Sequence, residues 1–249
     1  MLYRVEGIVI RSMDYGESNK IVTLLTNSSG KAGVLVKGAK KVKSRFGSLA
    51  QPFTYGEFVF FRGPNGGLGS LNAGEIYESY HTLRENLDQA AYASYVAELT
   101  DRALQEDEAG GFLFEQLKAC LNGYVLGKDP QIVTHLYEMR ILEAAGYAPG
   151  LDACVNCGNP EGPFRISAHM GGALCIRCSA GDPGAIRLSD PAYKLLRLFR
   201  RMDLRRLGSI EVKPETKAEL KLAMRKLMDE QLGLKLKSQS FLDQLDKLT

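Results

Sequence analysis

The chain has 249 residues, 45% hydrophobic and 24% charged, close to ordinary globular usage, so it holds enough apolar material for a real core and is not a disordered chain. At about 150 residues per domain, the length suits one large domain or two to three small ones. The net charge of +3 conceals a segregation: ten basic against six acidic residues in 1–80, five against eleven in 81–150, two against two in 151–180, and fifteen against ten in 181–249. An acidic middle therefore separates two basic ends. The opening MLYRVEGIVIRSMD has no apolar run behind a basic start, and no stretch approaches 18 uninterrupted apolar residues. Secretion and membrane spanning are not expected, and a cytoplasmic protein is.

Residues 3–11, 20–26, 32–38, 55–62 and 68–80 are short, rich in β-branched and aromatic residues, and separated by Gly, Ser, Asn and Pro. They read as five strands, with a short break at Ser44–Leu49 read as a helical turn. Five strands in 80 residues suit a small closed barrel of the OB type. The glycines of Gly63–Gly69 have no helix after them, so they read as a hairpin turn rather than a nucleotide loop.

From Asn86 the period changes to three and four: Leu87, Ala90, Ala91, Ser94, Tyr95, Leu99 and Ala103 mark a helix with one buried face, opened by an Asn86–Gln89 capping box. Helical patterns follow at 111–126 and 131–145, the latter between Asp129-Pro130 and Gly146. A Pro-, Gly- and Cys-rich stretch to about residue 185 interrupts them. Helices then resume at 190–202, behind Ser189-Asp190-Pro191, and at 214–232, before Gly233. The expected architecture is α+β and multidomain. An OB-like barrel (1–80) leads into an α-helical domain (81–150 and 186–249) that carries a four-cysteine insertion (151–185).

Cys154-x2-Cys157 and Cys175-x2-Cys178 stand 17 residues apart, the spacing of a four-thiolate zinc site. Each pair can turn two sulfurs toward one point, and Gly158 eases the first turn. Four sulfurs close the shell against water, so the expected metal is one structural Zn2+ per chain rather than a hydrolytic one. His169 reads as a surface histidine, and Cys120, between Leu117 and Leu121, as a small buried hydrophobe.

Between Ser18 and Gln51 there is no acidic residue, yet Lys20, Lys31, Lys37, Lys40, Lys41, Lys43 and Arg45 are all present. On a barrel, seven like charges without a counterion read as a phosphate-contacting loop and strand edge, against the alternative of a solvated loop. Phe53, Tyr55, Phe58, Phe60 and Phe61 could stack on bases, but the run 58–61 is apolar at every position, as in a strand buried on both faces. Tyr15, in the turn-like Asp14–Glu17, is the better exposed ring. Gly30-Lys31 fails as a phosphate loop, since Leu25 stands where Gly is needed and Ala32 where Ser or Thr is. No Gly-x-Ser-x-Gly elbow occurs, and His81, His135 and His169 are scattered, so no catalytic residue is expected.

The text Gly7–Arg11, Asp14–Glu17, Ile21–Thr26, Gly30-Lys31, Lys37–Lys41 and Gln51–Phe53 resembles the RecO family of bacterial recombination mediators and DNA repair proteins. The likeness spans nearly the whole chain. It implies a non-enzymatic protein that binds single- and double-stranded DNA and anneals complementary strands without ATP. Its implied partners are RecR, in some cases RecF, and through them RecA, which replaces single-stranded-DNA-binding protein; its implied place is the cytoplasm, at the nucleoid. By the same resemblance the basic barrel surface maps onto Lys37, Lys40, Lys41, Lys43 and Arg45, and the zinc thiolates onto Cys154, Cys157, Cys175 and Cys178. The family is also thought to grip the acidic, apolar C-terminal tail of single-stranded-DNA-binding protein on its helical part.

Lys194, Arg197, Arg200, Arg201, Arg205 and Arg206 form a second basic cluster, interleaved with Leu195, Leu196, Leu198 and Phe199. A basic rim around an apolar groove would suit an acidic peptide; direct DNA contact and an ordinary amphipathic helix with a basic outer face are the alternatives. The competing function is a zinc-ribbon docking adaptor without direct DNA binding.

Overall fold

A computed structural model of the chain describes residues 1–64, 66–104 and 111–245. It divides into two compact units, 1–126 with 236–249, and 127–235.

In the first unit, β1 (Leu2–Tyr15), β2 (Asn19–Thr26), β3 (Lys31–Val36), β4 (Tyr55–Phe61) and β5 (Gly69–Glu78) close a barrel in the order β1-β2-β3-β5-β4. The expected five strands are present, and β1 is long enough to serve two neighbours. Its first half pairs with β4 and its second with β2, and the register shifts between Val9 and Arg11. Such a bulge bends a strand around a barrel corner. Closure is by a parallel contact, Val34 to Gly69 and Leu35 to Ser70. Alternate residues point inward, so Val22, Leu24, Val34, Val36, Phe58 and Phe60 meet in one apolar centre.

The β4–β5 link is a hairpin as expected, with Asn65 outside the described residues. Ser44–Leu49 is a series of turns, not helix, and the Ser44 hydroxyl accepts the Phe46 N–H at 3.2 Å. Local side-chain bonds of this kind compete with helical pairing.

Helices α1 (His81–Glu85), α2 (Leu87–Ala103) and α3 (Gly111–Val125) follow. The capping box at Asn86 is half made: its side chain accepts the Gln89 N–H at 3.0 Å, while the Gln89 amide turns to the Tyr124 carbonyl. The last described helix of the chain returns to this unit, so the helices read as one domain are shared between two units.

The second unit is built around α4 (Pro130–Ala144), capped by Asp129, whose carboxylate accepts the N–H groups of Gln131 and Ile132 at 3.1 Å. Residues 132–142 of α4 are all buried, including His135, Glu138 and Arg140. His135 Nδ1 and Glu138 share a 2.7 Å contact. A three-stranded sheet, β6 (Phe164–Ser167), β7 (Gly172–Cys175) and β8 (Ile186–Arg187), in the order β7-β6-β8, carries the cysteine module together with the one-turn helix α5 (Ile176–Ser179). Then come α6 (Asp190–Arg201) and α7 (Pro214–Leu232), with Ser189 and Gly233 at the ends expected of them.

Arg140 joins two helices. Its guanidinium donates to the Phe199 and Arg200 carbonyls at 2.8 and 2.7 Å, closing the C-terminal end of α6, and pairs with Glu143 at 2.7 Å. The final helix, α8 (Lys237–Leu245), buries no residue fully, but its first turn is held in the first unit by Glu98. Among the described residues no helix is long and apolar enough to cross a membrane.

Candidate metal centre and basic surfaces

The four thiols of Cys154, Cys157, Cys175 and Cys178 all lie within 4.8 Å of one another. Two short-range devices bring them together. The Gly158 N–H bonds the Cys154 carbonyl at 2.8 Å, and Gly158 takes a positive φ of 74°, folding the first pair into a knuckle. Cys175 ends β7 opposite Phe164 and caps α5, which carries Cys178 back one turn. Gly150 lies beside Gly172 so closely that a Cβ on Gly172 would stand 2.3 Å from the Gly150 carbonyl oxygen.

The donor set suits a cation. Burial raises the Cys154 thiol, but the backbone N–H groups of Cys175, Cys157 and Asn156 outweigh it and bring the thiol down to about 6. The Cys178 thiol is pulled down by the Asn156 side chain, which reaches its sulfur at 3.3 Å. It is nevertheless pushed up to about 11 by the crowding sulfurs of Cys157 and Cys175. Four thiolates this close repel one another; Arg177, beside Cys157 and Cys178, offsets part of that, and a cation among the sulfurs would offset the rest. Cys154 and Cys175 are buried with Leu174, whereas Cys157 is exposed. The four cysteines could thus hold a metal ion. His169 is outside the cluster, exposed and facing Glu230, and Cys120 is buried on α3.

The basic loop after β3 is firmly held. Its backbone bonds run from Lys40 N to Ser18 O, from Lys41 N to Gly38 O and from Ser44 N to Lys41 O at 2.9–3.1 Å. Gly38 N also donates to the Asn19 side chain at 2.9 Å, and Ala39, Leu49 and Ala50 anchor the loop in the barrel core. Lys37, Lys40, Lys41, Lys43 and Arg45 project outward and are exposed.

The expectation that the seven cations lack counterions is corrected. Lys20 and Lys40 both pair with Asp14, at 3.3 and 2.7 Å, and hold its carboxyl below the usual range. Lys31 reaches the Asp101 carboxylate at 3.5 Å and its carbonyl at 2.6 Å. These carboxylates lie outside the run in sequence and return to it in the fold. Among the described residues Lys37, Lys41 and Lys43 make no ion pair, and Arg45 stacks over Phe46 at 4.4 Å.

Of the aromatics, Phe53, Phe58 and Phe60 are buried, and Tyr55 donates its hydroxyl to Glu6 at 3.0 Å. Tyr15 and Phe61 are exposed, at 53% and 57%, and so is Tyr77 on β5, which the sequence reading did not single out.

On the second basic cluster, Ala192, Leu196 and Phe199 turn inward, and Leu198 is the one large apolar side chain of α6 that is openly exposed. Leu195 is half-buried, so most of the apolar residues interleaved with the charges pack inward rather than line that face. Arg197 and Arg201 both reach Asp152, Arg200 reaches Glu143, and Arg205 turns back to Asp203. Lys194 and Arg206 are exposed. Sequence reasoning did not find Asp14, Asp101, Glu143 or Asp152, because an acidic residue carries no local mark of a distant arginine or lysine.

The chain matches the family model described as recombination protein O, N terminal, over residues 1–80, and that described as recombination protein O, C terminal, over residues 84–240. It is 44% identical over 248 residues to proteins named DNA repair protein RecO from Halalkalibacterium halodurans and Bacillus subtilis, covering 100% of this chain and 97% and 96% of theirs. The protein of the same name from Listeria monocytogenes is 44% identical over 244 residues, 98% of this chain and 95% of that one.

Proposed function

The chain belongs to the RecO family of DNA repair proteins, and on that premise we propose a non-enzymatic DNA-binding protein of recombinational repair. It binds single- and double-stranded DNA and anneals complementary strands without ATP. With RecR, and in some cases RecF, it helps RecA load onto strands coated by single-stranded-DNA-binding protein, whose acidic tail docks on the helical part. It works in the cytoplasm, at the nucleoid.

The observation that carries this reading is the rigid basic loop. Its backbone is fixed by turns, so Lys37, Lys41 and Lys43 stand as exposed cations with no carboxylate among the described residues to occupy them. Charges carried on a fixed backbone meet phosphates at the cost of side-chain ordering alone, release counterions, and read no sequence. Lys40 and Arg45 extend the same surface. Tyr15 and Phe61 are among the exposed rings of the barrel open for stacking on unpaired bases.

The metal is zinc, which Cys154, Cys157, Cys175 and Cys178 would hold, since four thiolates within 4.8 Å of one another suit zinc and would fill its shell against a reacting water. It supplies folding energy to the module and no chemistry. Its ligands would tie the Cys154–Cys157 knuckle to the end of β7 and to α5.

Titration of a labelled single-stranded oligonucleotide and of its duplex at two salt concentrations tests the reading. Binding to both, weakening with salt and removed in large part by K37A/K41A/K43A, is expected. Absence of binding to either form would leave a protein-docking adaptor.

A further inference from the structure

Lys194, Arg197 and Arg201 lie at i, i+3 and i+7, on one stripe of α6. The stripe is already engaged by an acid of the same chain. A single oxygen, Oδ1 of Asp152, accepts Arg197 Nε at 3.2 Å, an Arg197 terminal nitrogen at 2.7 Å and an Arg201 terminal nitrogen at 2.7 Å.

Asp152 is held where it is by its neighbours. Leu151, the residue before it, is buried and accepts the Tyr193 hydroxyl at 2.7 Å, and the Tyr193 ring stacks on Phe164 at 5.5 Å. Gly150 is joined to Gly171 and Ala173 by backbone bonds of 3.0 and 2.8 Å, and Cys154 lies two residues beyond Asp152. The carboxylate is thus part of the cysteine module and is brought to α6 by it. All three charged groups are open to solvent, with side-chain exposures of 42% for Arg197, 64% for Arg201 and 62% for Asp152. An exposed pair of this kind is weak and can be exchanged for another anion.

We propose that Asp152 is an internal placeholder for a DNA phosphate, and that the cysteine module gates a second DNA-contacting surface on α6 by occupying the Arg197–Arg201 fork. The inference rests on the DNA-binding reading above and deepens it. One oxygen receiving three N–H bonds from two guanidinium groups is also how a phosphate oxygen would be received. A phosphate backbone is favoured over an apolar acidic peptide because Leu196 and Phe199 are buried, which leaves Leu198 as the one openly exposed large apolar side chain of α6. While Asp152 stays in place, its charge offsets theirs and it holds the N–H groups that converge between the two side chains, so DNA gains little from Arg197 and Arg201.

The test uses the full, metal-loaded chain and a labelled oligo(dT). D152N keeps the shape and removes the charge. It is expected to tighten binding about fivefold at low salt. It should also steepen the log–log salt slope by about 1.4, for two added single-strand phosphate contacts. R197Q/R201Q in the parent is expected to change affinity less than about twofold, and in the D152N background to abolish the whole gain. Metal content and thermal unfolding of each variant show whether the module is intact.

D152N with an intact module and unchanged affinity and slope would overturn the proposal. So would a large loss on R197Q/R201Q in the parent, which needs no change at Asp152 and would mean that the fork is already open to DNA. A peptide ending in several aspartates that gains affinity for D152N while oligo(dT) does not would also overturn it, in favour of a protein partner. K37A/K41A/K43A separates the two levels. If it weakens DNA binding while D152N does nothing, the gate fails and DNA binding stands; if the parent binds no DNA, the reading beneath it fails as well.

Discussion

Replacing Lys37, Lys41 and Lys43 together by alanine tests how the fold divides a seven-cation run into free and committed charges. All three project from turns, exposed and outside the ion pairs of the described residues, whereas Lys20 and Lys40 share Asp14 and Lys31 is bound to Asp101. If each free lysine meets one phosphate, the triple variant should flatten the log–log salt slope by about 2.1 on a single strand and about 2.7 on a duplex. Over a fourfold rise in salt, a slope difference of about 2 changes relative affinity about sixteenfold, well within the reach of fluorescence anisotropy. K20A/K31A removes two charges from the same run but should leave the slope within about half a unit, because both lysines are neutralised within the protein. A K20A/K31A variant that flattens the slope as much as the triple variant would refute the division. So would a folded triple variant that keeps the parent's slope.

Cys154→Ser or Cys175→Ser, each removing a buried thiol, should lower bound metal from one ion per chain and destabilise the second unit, as read by native mass spectrometry and thermal unfolding; parent protein purified under reducing conditions without metal would contradict this. Arg140→Gln should cost about 3 kcal/mol in urea unfolding, because the lost guanidinium is buried and serves two carbonyls and Glu143, and a cost below about 1 kcal/mol would show that the α6 terminus finds other donors. Burial raises Glu98, but the hydroxyl and N–H of Ser238 and the N–H of Lys237 bring its carboxyl below the ordinary 4.5. A carboxyl lowered by folding stabilises above its unfolded value and ceases to do so as pH falls through its folded one. Amide protection factors in α8, corrected for the intrinsic pH dependence of exchange, should therefore be higher at pH 6 and fall below about pH 4.5 more than those in α2, and an equal fall in both helices would count against the carboxylate as the staple.

The elements that could be read from sequence are those with local causes. Four of the five strands lie within two residues of their expected bounds because alternation and Gly, Ser or Asn breaks mark them; β1 runs on to Tyr15, past its bulge. The helices with caps at Asn86, Asp129-Pro130 and Ser189 begin where those residues place them. The sequence does not display what depends on distant partners. The parallel β3–β5 closure needs Val34 and Gly69 to meet, and α8 has no buried residue to give it a periodic face. Strands of two to four residues, as in the cysteine module, are too short to alternate visibly. The four-cysteine cluster was legible because the spacing of the two pairs is itself the geometry. The basic surfaces were only half legible: cations show in the sequence, but whether Asp14, Asp101 or Asp152 neutralises them is decided by the fold.

The most direct measurement is the rate at which two complementary single strands become duplex, followed by fluorescence energy transfer, with purified metal-loaded protein and no nucleotide. The account predicts faster annealing than in buffer alone, no further gain on adding ATP, steep slowing with salt, and a large loss in K37A/K41A/K43A. Annealing that depends on ATP, or that is untouched by loss of the three loop lysines in a folded protein, would contradict it.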